Sequence, residues 1–428
     1  MRLALPAVVA ALILAVAAPA FAQAPLAGPD GTSLNKVLVI GTDGTRWDLL
    51  DKEMKSGRAP NLARLRRQGF GRPSLLDYGP NTLTLSEVGW SSIASGVWDD
   101  KHGIDGSKLN MDPGQATKNG YLDFLTRIEN QRKRLSTFLA SDWDNIGLPL
   151  NGGPIFGSAM DANFSARVPA ETLDNWDHGD VEVTDAATRY LRRGNPDVGF
   201  VYLGVVDESA HLVGSATPAY TDAIARTDAR IGRLLGAIRS RPSYAFESWT
   251  VIVVTDHGER PLSEPSVLAH YGKTKLELTS FLLGAGPGLG RNVRKPKVVD
   301  IQPTVLHQLG LRVPRSWNLD GRSLSKAPVP AVGARLRGHR LTVRLRLGSP
   351  PRAARLSFRL PAGLHASGAH VRVNGRSILT VSKGRTIVAK ASRVRVRSIA
   401  LDANVSGRSS GSVKVSLRGQ GSVALPLR

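Results

Sequence analysis

The sequence predicts an α/β protein with a mostly parallel central sheet and helices on both faces, followed by a C-terminal all-β, sandwich-like domain. Two observations carry this prediction. Up to about residue 312, continuous apolar runs of strand length alternate with segments of helical period. Beyond about residue 328 the period falls to two, and the charge balance changes with it.

The elements follow in order. Lys36-Val37-Leu38-Val39-Ile40-Gly41 is apolar without alternation, the pattern of a strand buried on both faces. Residues 59–69 form a helix that stops at Gly69. Residues 86–96 hold a helix packed through Trp90, Ile93 and Ala94. Further helices are predicted over 181–193, 220–238 and 298–309, and further buried strands over 199–206, 250–255 and 280–283. In the last segment, 341–347, 394–397 and 413–418 alternate strictly, and 371–378 is a hairpin around Asn374-Gly375. These read as half-buried antiparallel strands with arginine on the wet face. The expected division is a catalytic domain over 36–327 and a basic sandwich over 331–428, joined through the proline-rich Ala327–Pro330.

Composition narrows the function. The 428 residues are 41% hydrophobic and 21% charged, and none is cysteine. A disulfide scaffold, a thiolate metal site and a cysteine nucleophile are therefore excluded. The net charge of +22 is not spread along the chain. Residues 331–428 hold 20 Lys and Arg against the single acid Asp402, which is +19, so the other 330 residues carry only 22 − 19 = +3. A near-neutral body with a basic appendage suggests a catalytic core plus a module for an anionic cell-wall or membrane surface. The alternative is a plain solvated strand face. Arg-rich strands without interleaved aromatics do not suggest specific nucleic-acid binding.

The first residues read as a targeting segment. Met1-Arg2 is followed by an apolar stretch to Ala18 and by Ala20-Phe21-Ala22, a small-residue cleavage site. A signal peptide over 1–24, a linker over 25–35 and a secreted or extracytoplasmic mature protein are expected.

Three of the buried strands run into chemistry. The first ends in Asp43, the second in Asp207 with His211 one helical turn on, the third in Asp256-His257-Gly258. Ligands in open α/β sheets bind at the carboxyl ends of the strands. Each aspartate alone reads as a turn former or cap. Together, three carboxylates and two histidines at one edge call for cations, and sulfur-free His/Asp ligation suits two divalent ions, zinc first. Ser86 falls at the start of a helix, where it reads either as an N-cap or as a nucleophile facing a phosphate at the helix N-terminus.

Val39-Ile40-Gly41-Thr42-Asp43-Gly44, Ser86 followed by Gly96-Val97-Trp98-Asp99-Asp100-Lys101-His102-Gly103, Asp207…His211…Gly214 and Thr255-Asp256-His257-Gly258 resemble the alkaline phosphatase superfamily, in its type I phosphodiesterase/nucleotide pyrophosphatase-like branch. The resemblance covers roughly 36–312. It implies a serine nucleophile at Ser86 and a covalent phosphoserine intermediate. One zinc site would comprise Asp43, Ser86, Asp256 and His257, the other Asp207, His211 and a later histidine. His270 is the choice for that histidine, and His307 is the competitor. His102 is read as structural. Two positions depart from the pattern: Gly89 stands where the branch often has a phosphate-binding Asn, and Ala210 where it has Gly. Residues 105–180, with Trp143 and Trp176, match poorly and are assigned to the substrate pocket. The expected substrate is a small phosphodiester. The alternatives are a phosphomonoesterase, a sulfatase-like hydrolase, or a non-catalytic surface-binding protein on this scaffold. The sulfatase reading is weakened by Ser86-Glu87-Val88-Gly89-Trp90, which lacks the Pro and Arg of a sulfatase motif.

Overall fold

The computed structural model describes residues 33–106, 114–148, 154–326, 333–347, 352–407, 409, 411–418 and 421–427. The expected signal peptide, most of the N-terminal linker and the junction at 327–330 lie outside these residues.

The first part is built on a seven-stranded sheet: β1 (Asn35–Thr42), β2 (Phe70–Leu75), β3 (Thr137–Ser141), β4 (Ala162–Ser165), β5 (Val198–Leu203), β6 (Ser248–Val254) and β7 (Thr279–Ala285), in the order β2-β7-β6-β1-β5-β3-β4. β6, β1, β5, β3 and β4 are mutually parallel. The sheet is mostly parallel, as expected, and β7 is the exception within it. It runs antiparallel to both β6 and β2, which makes β2 the edge strand. Pro73 fits there, because an edge strand leaves one row of backbone groups unpaired.

Side chains alternate across each strand. Leu38, Ile40, Val201, Leu203, Val251 and Val253 face one helical layer, which includes Pro60–Gln68, Leu173–Arg193 and Pro218–Arg239. Val37, Val39, Phe200, Tyr202, Ile252 and Val254 face the other, which includes the helices Ser86–Ser95 and Ile301–Gln308. This two-faced burial is why the strands read as unbroken apolar runs. The helix expected from Val181 begins earlier, at Leu173, where the Thr172 side chain accepts from the Asn175 N–H as N-cap. Trp176, expected near the substrate, is instead buried in the core.

The C-terminal strands are β8 (Gly333–Arg337), β9 (Arg340–Arg346), β10 (Arg352–Arg359), β11 (His365–Val373), β12 (Arg376–Ile378), β13 (Thr380–Lys383), β14 (Thr386–Arg395), β15 (Ser398–Ser406), β16 (Ser412–Leu417) and β17 (Gly421–Pro426). They make two antiparallel five-stranded sheets, β13-β14-β10-β16-β17 and β12-β11-β15-β9-β8. Their inner residues, among them Leu341, Val343, Phe358, Val371, Ile387, Leu401 and Val415, form one core. The Asn374-Gly375 hairpin is present, with φ of 51° and 83° at its two turn residues. Asp402, the lone acid, pairs with Arg344 and Arg372. Ala245 and Phe246, from the short turn Tyr244–Phe246 of the first part, belong to this same core.

Candidate active site

The three acidic strand ends converge because β1 lies between β6 and β5. Thr42 is paired with Leu203, and Gly41 with Val254, so the chain leaves all three strands at nearly one level. Asp43 follows β1 directly. Asp256 follows β6 after one residue. Asp207 rides in the first turn of the helix Val205–Val213, and His211 lies one turn later on the same face.

Ser86 begins the helix Ser86–Ser95, with the extended Leu85 as its N-cap, so the serine is not itself the capping residue. Its Oγ is 3.2 Å from His257 Nε2. That nitrogen also stands 3.2 Å from Asp256 Oδ2 and 3.6 Å from Asp43 Oδ1. Both of those carboxylate oxygens are buried without a hydrogen-bond partner. Asp43 Oδ2, by contrast, accepts from Trp90 Nε1 at 2.9 Å and from the Tyr202 hydroxyl at 2.5 Å. Two donors therefore fix one oxygen and leave the other facing the cluster.

The second cluster is adjacent. His211 Nε2 lies 3.3 Å from Asp207 Oδ2 and 3.0 Å from His270 Nε2, which is itself 3.8 Å from Asp207 Oδ1. Each histidine is anchored from behind by a backbone carbonyl. Nδ1 of His211 donates to Ser266 O at 2.9 Å, Nδ1 of His270 to Thr84 O at 2.6 Å, and Nδ1 of His257 to Gly258 O at 3.2 Å. A carbonyl only accepts, so each Nδ1 carries a proton and each Nε2 points into the cluster. A partner held behind the ring in this way prepares a histidine to ligate a metal. Orphaned carboxylate oxygens and aimed imidazole nitrogens together fit divalent cations. His307 lies in the last turn of Ile301–Gln308 and belongs to neither cluster.

The electrostatics agree. Burial, and then the charge of Asp207, push the Asp43 carboxyl up to about 7. Burial and Asp43 hold Asp256 well above the carboxylate range. Burial works against the charge on Asp207 too, yet His211 and His270 draw it far below its usual value. Burial disfavours the His211 cation, but Asp207 outweighs it and raises the imidazole to about 10. Burial drives His257 well below its usual value. A site that must protonate its own carboxylates is short of positive charge.

One departure from the pattern and one residue read as structural acquire reasons. A Cβ at Gly89 would stand 2.6 Å from Asp256 Cβ, so the Ser86 helix packs its bare backbone against that aspartate. His102 is buried, bonded through Nε2 to Ser92 Oγ and through Nδ1 to the Ile104 N–H, and burial lowers it to about 3, which is a structural role. Sequence reasoning missed the donors Trp90 and Tyr202, which look like ordinary core aromatics, and Glu259, which lies beside Asp207 and His270.

A doubly wound sheet with an Asp/His cluster and a helix-borne serine at its carboxyl edge is the arrangement of a hydrolase site, and a family match makes phosphoric esters its substrates. Residues 37–304 match the type I phosphodiesterase/nucleotide pyrophosphatase family, and the chain belongs to that family. Among solved structures it is similar to murine ectonucleotide pyrophosphatase/phosphodiesterase 5, with 15% identity, 66% of this chain and 98% of that chain covered, and a TM-score of 0.43. A protein described as a putative sulfatase, from Bacteroides thetaiotaomicron, aligns with 12% identity over 73% of this chain and 80% of that one, TM-score 0.49. An alkaline phosphatase superfamily protein from Vibrio parahaemolyticus aligns with 14% identity over 76% and 78%, TM-score 0.43. No curated protein matches the sequence.

Proposed function

We propose that the protein is an exported phosphodiesterase that uses Ser86 as nucleophile, with two zinc ions, one held by Asp43, Ser86, Asp256 and His257 and the other by Asp207, His211 and His270. The observation that carries this reading is the placement of Ser86 Oγ 3.2 Å from His257 Nε2, beside the unpartnered oxygens of Asp43 and Asp256. Bound cations would lower the pKa of the serine hydroxyl and offset charge on the phosphate oxygens. Ser86 Oγ attacks phosphorus in line, and the alcohol leaves as its P–O bond breaks. The first-turn N–H groups of Ser86–Ser95 have no helical acceptors and face the equatorial oxygens, taking over from the Asn absent at Gly89. Water then attacks the phosphoserine and frees Ser86. The basic sandwich is proposed to hold the enzyme against an anionic surface, an effect that rising salt would weaken.

The test compares a nitrophenyl phosphodiester with the matching monoester on zinc-loaded protein, with Ser86→Ala alongside. The expected result is preference for the diester and loss of turnover in the variant. A monoester preference would make the protein a phosphatase, and an active variant would remove Ser86 from the mechanism.

A further inference from the structure

The turn after Asp256-His257-Gly258 carries a side chain that the proposed chemistry leaves unused. Glu259 is fully buried at 0% exposure, and neither carboxylate oxygen has a hydrogen-bond partner. His257 Nδ1 is within ion-pair range at 3.5 Å, but that nitrogen gives its proton to the Gly258 carbonyl. Ligand atoms of Asp207, His257, Glu259 and His270 all lie within 4.8 Å of one another.

Backbone geometry holds this carboxylate in place. Gly44, at the end of β1, adopts φ 55°, and a Cβ there would meet Asp207 Oδ1 at 2.3 Å and Glu259 Oε1 at 2.7 Å. The two carboxylates thus share the space over a bare glycine. Two buried carboxylates side by side, with no donor to either facing oxygen, repel each other unless a proton or a cation is held between them. Asp207 Oδ1 and both Glu259 oxygens are in that state.

We propose that Glu259 is a ligand of the cation held by Asp207, His211 and His270, and gives that site a second carboxylate. This rests on the two-cation reading above. The added hard, anionic oxygen also makes the site more receptive to manganese than one carboxylate and two imidazoles would be.

The full chain, stripped with chelator, is titrated with Zn2+ by calorimetry, and Co2+ is followed by its visible absorption. Wild type is expected to take two ions. Glu259→Gln keeps the shape and removes the charge. It should weaken one site at least ~10-fold, alter the Co2+ spectrum of that site, and leave the other intact. Asp43→Asn should weaken the opposite site, which assigns the two. Two sites of wild-type affinity and an unchanged Co2+ spectrum in Glu259→Gln would overturn the proposal alone. A wild-type protein that binds neither metal would overturn the two-cation reading and this one with it. If Glu259→Gln does not fold, Glu259→Asp replaces it: the shortened carboxylate should still weaken the same site, and undiminished affinity there would refute the ligand role.

Discussion

Tyr202→Phe removes one of the two hydrogen bonds that orient Asp43 and leaves the ring in place. The ring packs edge-on against Trp90 at 5.3 Å and lies 5.8 Å from Trp143, contacts a phenylalanine retains. Trp90 Nε1 remains on Asp43 Oδ2 at 2.9 Å. A hydrogen bond to a charged acceptor contributes about 1.5–3 kcal/mol. Its loss corresponds to roughly 1–2 pKa units on the carboxyl. Burial and Asp207 already hold Asp43 at about 7 in the metal-free protein, so the variant keeps its proton well above neutrality. A cation must displace that proton. Affinity at the Asp43 site near neutral pH should therefore fall ~10–100-fold, and the deficit should shrink at about two pH units higher, where the proton leaves unaided. Calorimetric zinc titration of stripped protein at both pH values measures this. Affinity within a factor of about two of wild type, or a deficit that ignores pH, would refute the claim that the Tyr202 hydroxyl sustains the Asp43 charge.

Three further outcomes are expected. Above about pH 6.5, the folded metal-free protein keeps protons on Asp43 (to about 7), Glu208 (to about 8) and His211 (to about 10), while the unfolded chain has released them. Stability should therefore fall as pH rises from about 6.5 to 8, by ~1.4 kcal/mol per unit for each proton retained, and zinc should remove the trend. Below that window His102, His257 and His270, all lowered by burial, work in the opposite direction, because the unfolded chain gains protons there that the folded one refuses. Scanning calorimetry of stripped protein showing a melting temperature that climbs across the upper window would contradict this. Lys36→Met takes the ammonium, 2.9 Å away, from Asp197, which is 0% exposed and keeps neutral donors such as the Ser33 and Ser136 N–H groups, and should cost about 3–5 kcal/mol in denaturant unfolding. This pair lies at the opposite edge of the sheet from Asp43, so kcat/KM of the metal-loaded protein should not change, and a large drop would link the two edges. Gly89→Ala drives a methyl into Asp256 and should cost about 1–3 kcal/mol. Because the displaced helix carries Ser86, turnover should drop more than stability alone explains, and normal turnover would show that the helix has room to yield.

The sequence exposed the centre of the sheet better than its margins. β1, β5 and β6 are buried on both faces, so their apolar runs and terminal acids stand out, and pairing β1 with both neighbours is enough to gather Asp43, Asp207 and Asp256. The direction of β7 was not legible, because a strand buried on both faces has the same apolar pattern whichever way it runs. β2 was missed for a different reason: Phe70-Gly71-Arg72-Pro73-Ser74-Leu75 has edge-strand composition and no apolar run. Glu259 stands in the turn Gly258-Glu259-Arg260, and no periodicity or motif marks it as inward-facing. Its full burial and its place over Gly44 beside Asp207 become visible only in the folded chain.

Phe246 gives the molecule a property that a list of its parts would miss. Its ring grows from the turn before β6, is fully buried, and belongs to the core of the C-terminal sheets. The tail is therefore not a detachable cartridge. Deleting it would uncover Phe246 and Ala245, an adhesive spot two residues before the strand that delivers Asp256. Grafting it onto another enzyme would leave an unfilled hole in its interior. During biosynthesis the hydrolase half emerges first and waits for its last hundred residues before that spot is covered, so the tail is as much a finishing step of folding as an appendage.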